Sequence, residues 1–196
     1  MELNILKNEE RKMNFIMFLI CMLLPVAALG FVLLFLQGTA IDCIVLGMVI
    51  SSIITKLFEK RIGKYAKYVY MSIIPVWGAI VIIVGNDGKF GAIPQAYLMV
   101  LILAIAYYDV SVVIVVSAIT LAANAIGLIV FSGAYLKMHS LVVWIFIGIV
   151  FLLAMMAALI ITGHTYKMFQ MVERKENENS IIFFRFFKRR FFPSFS

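Results

Sequence analysis

Lysine and arginine are concentrated before the first apolar stretch of this chain, in the gap after the second and after the last, and the other gaps are nearly bare. One crowded gap contains Lys56, Lys60, Arg61, Lys64 and Lys67. The gap before it, residues 37–42, contains no lysine or arginine, and the gap after it contains Lys89 alone. This distribution is typical of a multi-spanning membrane protein, because the loops that remain in the cytoplasm retain the positive charge.

The composition supports the same class. Hydrophobic residues make up 64% of the 196 residues, against roughly 45–50% in an ordinary soluble domain, and a soluble fold of this size could not bury so much apolar surface. The formal net charge of +7 comes from cations that flank apolar runs, where they act as anchors facing anionic lipid. We therefore expect the lipid bilayer as a partner, and no nucleic acid.

Apolar runs of about 17–25 residues predict transmembrane helices. The chain contains six such runs, so we expect an all-α fold, a bundle of six transmembrane helices. The predicted spans are Phe15–Leu36, Ile41–Phe58, Tyr68–Val84, Ala92–Tyr108, Val110–Phe131 and Leu141–Thr162. The cation count places both termini in the cytoplasm, and we expect a multi-pass protein of a bacterial plasma membrane.

The spans divide the chain into four parts. Residues 1–14 form a cytoplasmic N-terminal segment, 15–162 the transmembrane domain, and 163–180 a helical extension into the cytoplasm. The tail, 181–196, interleaves phenylalanine with basic residues. This pattern fits an interfacial anchor, or an out-of-frame sequence that replaced the natural continuation.

Few polar residues lie inside the predicted spans, and intramembrane polar groups are functional candidates. The Asn124 amide is predicted to bond across a helix interface, with ligand contact as the alternative. Gln95 and Trp77, toward the outer ends of their spans, complete a candidate ligand-binding set. Asp109 interrupts the apolar sequence between the fourth and fifth spans, where it can cap the next helix. The five cations of the crowded gap are interpreted as cytoplasmic anchors.

Motifs for catalysis are absent from the sequence. There is no HExxH, GxSxG or paired intramembrane carboxylate. His139 and His164 fall on opposite sides of the predicted membrane, so they cannot share a metal ion. We therefore expect no enzyme, no catalytic residue, no metal site and no cofactor.

Three short segments resemble the membrane-embedded sensory region of clostridial-type methyl-accepting chemotaxis proteins. They are the entry Asn8–Phe15, the break Tyr107–Asp109 with the polar-spotted helix after it, and the exit Glu173–Asn179. The resemblance covers about residues 1–179. It implies a module that senses a stimulus and passes it to a long cytoplasmic coiled coil. It also implies a homodimer, and control of a histidine kinase through a coupling protein.

The chain departs from that family because it has no heptad-bearing coiled coil, methylation helix or kinase-contacting tip. The leading prediction is therefore the signal-input region of a chemoreceptor-type protein, truncated and without its own output domain. The alternative is a small-molecule transporter or a substrate-capture membrane subunit, which the chain resembles in size and span count.

Overall fold

The computed structural model describes residues 4–35, 39–85 and 93–191. Within these ranges the chain is α-helical and contains no strand, which confirms the predicted all-α class. The helices are α1 (Asn4–Phe35), α2 (Thr39–Ile62), α3 (Ala66–Gly85), α4 (Ile93–Ile105), α5 (Val110–Val130), α6 (Ser132–Met138) and α7 (Leu141–Phe191).

Each predicted apolar segment overlaps one of these helices, but α4, at 13 residues, is shorter than the predicted span Ala92–Tyr108, and one feature was not predicted. The short helix α6 lies in what the sequence indicated as a loop before the last span. Helix α7 is 51 residues long: it includes the predicted helical extension and continues without interruption into the tail. The final residues, 192–196, lie outside the described part of the chain.

Helices α2 and α3 form an antiparallel hairpin. A single turn of 3-10 helix, Gly63–Tyr65, connects them, and Gly63 has a φ of +58°, a conformation that glycine adopts without steric cost. Trp77 Nε1 donates to Ser51 Oγ at 3.3 Å, and these two residues lie about equally far from the turn. The chain therefore reverses at Gly63.

Helix α3 is at the centre of the molecule. It packs against α1, α2, α4, α5 and α6, whereas α7 packs against α4 and α5. Its inward residues Tyr70, Met71, Ile73 and Ile74 belong to the main apolar core. Different neighbours surround the first turn and the last turn of α3. Most of the polar contacts described below lie in these two regions.

In the described part of the chain, three stretches are long and apolar enough to cross a membrane: Ile44–Val84, Val110–Val130 and Leu141–Val172. The first of these, at 41 residues, contains the α2–α3 hairpin. Large apolar side chains also face outward, with Ile129 80% and Val142 75% exposed. Apolar side chains exposed on helices of this length support the membrane-protein class that the sequence predicted.

Candidate functional site

Ionisable side chains meet where the first turn of α3 lies beside α1 and the α4–α5 turn. Lys67 Nζ lies 2.7 Å from Asp109 Oδ2 and 3.4 Å from Glu10 Oε2. The Lys67 side chain is 11% exposed, and those of Glu10 and Asp109 are 29% and 30% exposed. One largely buried ammonium thus bridges two half-buried carboxylates from separate parts of the chain. We call this region, with Asn14 and Glu59, the charged end.

Asp109 has a second role, as the N-cap of α5. Its backbone is extended, and its Oδ1 accepts a hydrogen bond from the Ser111 N–H at 2.9 Å. Burial disfavours the carboxylate, but the hydrogen bonds from Lys67 and Ser111 outweigh burial and lower the pKa of Asp109 below its ordinary value. The carboxylate that caps α5 is therefore the same one that fixes α5 to the start of α3.

A hydrogen-bond chain extends the charged end toward α2. The Tyr107 hydroxyl donates to Asn14 Oδ1 at 3.0 Å, and Asn14 Nδ2 donates to Glu59 Oε1 at 3.3 Å. Glu59 Oε2 in turn accepts from Lys56 Nζ at 2.7 Å. Asn14 is 6% exposed, so its amide is a buried group satisfied on both sides. These bonds connect α1, α2 and the α4–α5 turn.

Tyr108 connects this region to α7. It has a φ of +53°, a left-handed conformation that costs a residue other than glycine about 1–2 kcal/mol. Its ring packs against Phe169 of α7 with the centroids 4.8 Å apart. The unfavourable backbone conformation is compatible with a turn in which Tyr107 points into the bundle, Tyr108 contacts α7, and Asp109 caps α5.

A partly open cavity of about 380 Å³ lies at the charged end. Its polar lining comes from the three ionisable residues Glu10, Lys67 and Asp109, and tyrosine rings form much of the remaining wall. The tyrosines are Tyr107, Tyr108 and Tyr166. The volume lies within the range of about 300–1,000 Å³ that is typical of small-ligand sites.

A second polar cluster lies near the last turns of α3 and α5, which we call the aromatic end. Tyr135, from α6, is fully buried, and a Cβ at Gly127 would overlap its ring. Trp144 Nε1 donates to the Tyr135 carbonyl oxygen at 2.9 Å, and the two rings pack with centroids 5.0 Å apart. Aromatic packing over a glycine thus closes this end of the helix bundle.

Three buried polar atoms at the aromatic end have no hydrogen-bond partner among the described residues. They are the Tyr97 and Tyr135 hydroxyls and Asn124 Oδ1. The Asn124 side chain lies close to the Tyr97 hydroxyl, and Tyr135 is also close to Tyr97, but none of the three atoms forms a bond of acceptable geometry. The Asn124 amide instead donates from Nδ2 to the Thr120 carbonyl oxygen of its own helix at 2.8 Å.

The residues of the predicted ligand-binding set lie at different interfaces. The Trp77 ring lies against Gly47 and Ser51 of α2, whereas Asn124 lies beside Tyr97 of α4. The Gln95 side chain lies outside the part of the chain that the structure describes. The ligand role of these residues remains a prediction.

The predicted cytoplasmic anchors have two kinds of environment. Lys60, Arg61 and Lys64 are exposed. Lys56 pairs with Glu59, and Lys67 is buried between two carboxylates. Lys67 therefore does more than anchor the chain, because it is the central cation of the cavity.

Four residues of the charged end and its cavity were not among the site residues predicted from the sequence: Glu10, Asn14, Tyr107 and Tyr166. A signal for Glu10 was present, because the distribution of cations assigns Glu10 to the same predicted side of the membrane as Lys67 and Asp109. Opposite charges at one depth, beside apolar runs, are expected to pair. Tyr166 gave no such signal, since its position beside the cavity depends on how α7 packs.

Among the residues described, no group of three or more histidine, cysteine, aspartate or glutamate side chains could hold a metal ion. Comparison with protein-family models, with curated proteins and with solved structures finds no match to this chain. The geometry of the two ends is therefore the basis on which a function is proposed.

Proposed function

We propose that this chain is the membrane-embedded input module of a signalling protein, with six spans and both termini in the cytoplasm. The observation that carries the proposal is the contact between Tyr108 and Phe169. Through it, the turn containing Asp109 touches α7, the helix that continues beyond its apolar stretch. In this proposal the module performs no catalysis, and its output is a change in the packing or rotation of α7.

The path of the signal follows from the contacts. Lys67 connects α3 to α1 and to the α4–α5 turn through its two ion pairs. A stimulus that alters the packing of α3 would shift Asp109 and its neighbour Tyr108, and the Tyr108 ring would pass that shift to Phe169. Coupling of this kind requires a contiguous element with two arrangements, and the strained Tyr108 backbone is suited to that role.

A chimera tests the sensory function. Residues 1–176 are fused in register to the kinase-controlling domain of a chemoreceptor, and kinase activity is compared in membranes and in detergent. We expect control that depends on the membrane and that Tyr108→Ala abolishes. Phe146→Ala, on an exposed part of α7 (65% exposed), is the matched control and should leave control intact. A chimera whose kinase activity is the same in membranes and in detergent would contradict the proposal.

Cysteine labelling tests the six-span topology separately. Lys60→Cys and Lys137→Cys are introduced singly into a chain in which Cys21 and Cys43 are replaced by serine. A membrane-impermeant maleimide should label Lys137→Cys in intact cells, and Lys60→Cys only after the membrane is permeabilised. Labelling of both positions from the same side would exclude this arrangement of spans.

A substrate-capture subunit is the second candidate, and one observation favours it. The Tyr97 and Tyr135 hydroxyls and Asn124 Oδ1 are buried without a hydrogen-bond partner among the described residues, and a neutral hydrogen-bonding solute could satisfy them. If this candidate is correct, Tyr135→Phe should reduce cellular uptake of the solute without lowering the amount of folded protein. Uptake that is identical with and without the chain would remove this candidate.

A further inference from the structure

The cavity at the charged end has an unequal charge balance. Glu10 and Asp109 contribute two carboxylates and Lys67 one ammonium, which leaves a formal charge of −1 on the lining. The ammonium is also the most buried of the three groups, since the Lys67 side chain is 11% exposed and the carboxylates are 29% and 30% exposed. A molecule entering the cavity therefore meets carboxylate oxygen more readily than it meets Lys67.

Ionised carboxylates accept several hydrogen bonds each. Asp109 accepts from Lys67 and from the Ser111 N–H, and Glu10 shares the same lysine at the longer distance of 3.4 Å. One ammonium thus serves two acceptors, and its bond to Glu10 is the weaker. A second cation placed between Glu10 and Asp109 would complete the charge balance and form short, charge-assisted hydrogen bonds.

The tyrosine walls indicate which kind of cation fits. Tyr107, Tyr108 and Tyr166 line the cavity, and aromatic faces attract ammonium groups by about 0.5–2 kcal/mol, depending on desolvation. A metal ion is a poorer match, because hard cations require about six oxygen ligands and the described residues offer no cluster of three ligating side chains. A volume of about 380 Å³ also exceeds the needs of a bare ion.

We propose that this cavity binds an organic ammonium group, held between Glu10 and Asp109 and against the rings of Tyr108 and Tyr166. The group could belong to the ethanolamine headgroup of a phospholipid or to a soluble amine, because both present the same chemistry. This binding site would give the proposed sensory module its ligand class, and the effect of the ligand on signalling rests on that proposed function. Competition with Lys67 for Asp109 would loosen the turn that contacts Phe169.

Binding is measured on the full chain in nanodiscs of phosphatidylglycerol, which contains no amine. Ethylammonium chloride is added, and sodium chloride at equal ionic strength serves as the reference. We expect ethylammonium to raise the thermal unfolding temperature in a saturable manner and sodium to have no comparable effect. Equal responses to the two salts would overturn the proposal, because they would reflect general screening of charge.

Glu10→Gln identifies the site. Loss of one charge-assisted acceptor should weaken ethylammonium binding about tenfold or more, while the Lys67–Asp109 pair remains. Glu59→Gln makes the same chemical change at a residue that reaches the cavity wall only through Asn14 and Tyr107, so it should weaken ethylammonium binding less than Glu10→Gln does. Tyr166→Leu removes an aromatic wall without altering charge, and it should weaken binding about threefold or more. If Glu10→Gln and Tyr166→Leu both bind ethylammonium with wild-type affinity, the assignment of this cavity is wrong. Tyr166→Leu alone tests the assignment if Glu10→Gln does not fold.

Lipid composition distinguishes the two sources. When phosphatidylethanolamine replaces part of the phosphatidylglycerol, weaker apparent binding of ethylammonium would show that the headgroup occupies the cavity. Unchanged binding would assign the cavity to a soluble amine. The chimera separates this inference from the sensory function. If ethylammonium binds but kinase activity is the same in membranes and in detergent, the sensory function alone is contradicted. If kinase activity depends on the membrane but ethylammonium does not bind, the inference alone is contradicted.

Discussion

The charged end and the aromatic end stabilise the same helix bundle by different means. At the charged end, Lys67, Asp109 and Glu10 join three parts of the chain through ion pairs, and the Tyr107 hydroxyl has a partner. At the aromatic end, the ring of Tyr135 fills space over Gly127, and its hydroxyl has no partner among the described residues.

The comparison indicates which end can change its arrangement. Close-packed rings over a glycine have few alternative arrangements, because interiors of native density do not deform continuously. The partly exposed carboxylates of Glu10 and Asp109 can exchange ion-pair partners, including partners that come from solution. The aromatic end is thus the fixed side of the bundle, and the charged end is the side whose arrangement can change, as the proposed function requires.

The largest effect should come from filling the space that Tyr135 occupies. Gly127→Leu places a side chain inside its ring, and overpacking of this kind costs about 3 kcal/mol. Thermal unfolding in detergent should show a midpoint lower by about 6–12 °C. Gly148→Leu is the matched control, because a Cβ at Gly148 would meet no other described part of the chain within 4 Å beyond the nearby backbone of its own helix. Equal losses in the two variants would show that the aromatic end is not tightly packed.

Removing the central cation should have the next largest effect. Lys67→Met removes the ammonium that lies between Asp109 and Glu10, at a cost of about 2 kcal/mol for groups that are partly exposed. Lys64→Met, an exposed lysine of the preceding turn, should stay within about 0.5 kcal/mol of the wild type. A double-mutant cycle with Asp109→Asn, which retains a capping side chain, measures the coupling. Strict additivity would mean that the pair contributes nothing.

The acid sensitivity of this pair has a definite sign. Because the pKa of Asp109 is lowered in the folded chain, its stabilising contribution is fully present above the unfolded value of about 3.9. That contribution is lost as pH falls through the lower folded pKa. The difference in unfolding temperature between the wild type and Asp109→Asn should therefore shrink as pH falls from about 6 to about 3. A difference that grows with acidity would contradict the assignment.

Removing the hydrogen bond between the Trp144 indole and the Tyr135 carbonyl should cause a smaller loss of stability at the aromatic end. Trp144→Phe keeps a ring beside Tyr135 but removes a 2.9 Å bond, which should cost about 1 kcal/mol. Trp77→Phe removes a longer bond of 3.3 Å to Ser51, and its effect should be smaller. Denaturant or thermal unfolding of the two variants in the same detergent provides the comparison, and the reverse order would contradict it.

The helices could be predicted from sequence because apolar runs separated by charged or polar breaks leave little freedom. Asp109 marks the start of α5 since a carboxylate between two apolar runs is an effective N-cap. The common side of Glu10, Lys67 and Asp109 follows from the distribution of cations. These conclusions depend on local composition and on the thickness of a bilayer, both of which are visible in one sequence.

The contacts between helices could not be predicted in this way. Tyr108 adopts a left-handed backbone conformation because the consecutive residues 107–109 contact three different parts of the chain. Nothing in the local sequence predicts this conformation. Tyr135 lies over Gly127 because α6 folds back onto α5, and a seven-residue helix with exposed flanks gives little periodic signal. Which face of each helix meets which partner is a property of the packed bundle.

The smallest predicted effect compares the two ends most directly. The same change, from tyrosine to phenylalanine, should alter stability in opposite directions at the two ends. Tyr107→Phe removes a hydroxyl that donates to the buried Asn14 at 3.0 Å, so it should destabilise the chain by about 1 kcal/mol. Tyr135→Phe removes a buried hydroxyl that has no partner in the described part of the chain, so stability should be unchanged or rise by up to about 1 kcal/mol. Thermal unfolding of both variants, side by side with the wild type, measures the two signs. A loss at Tyr135 equal to that at Tyr107 would mean that its hydroxyl is satisfied by a bound molecule, and that the aromatic end is occupied rather than simply packed.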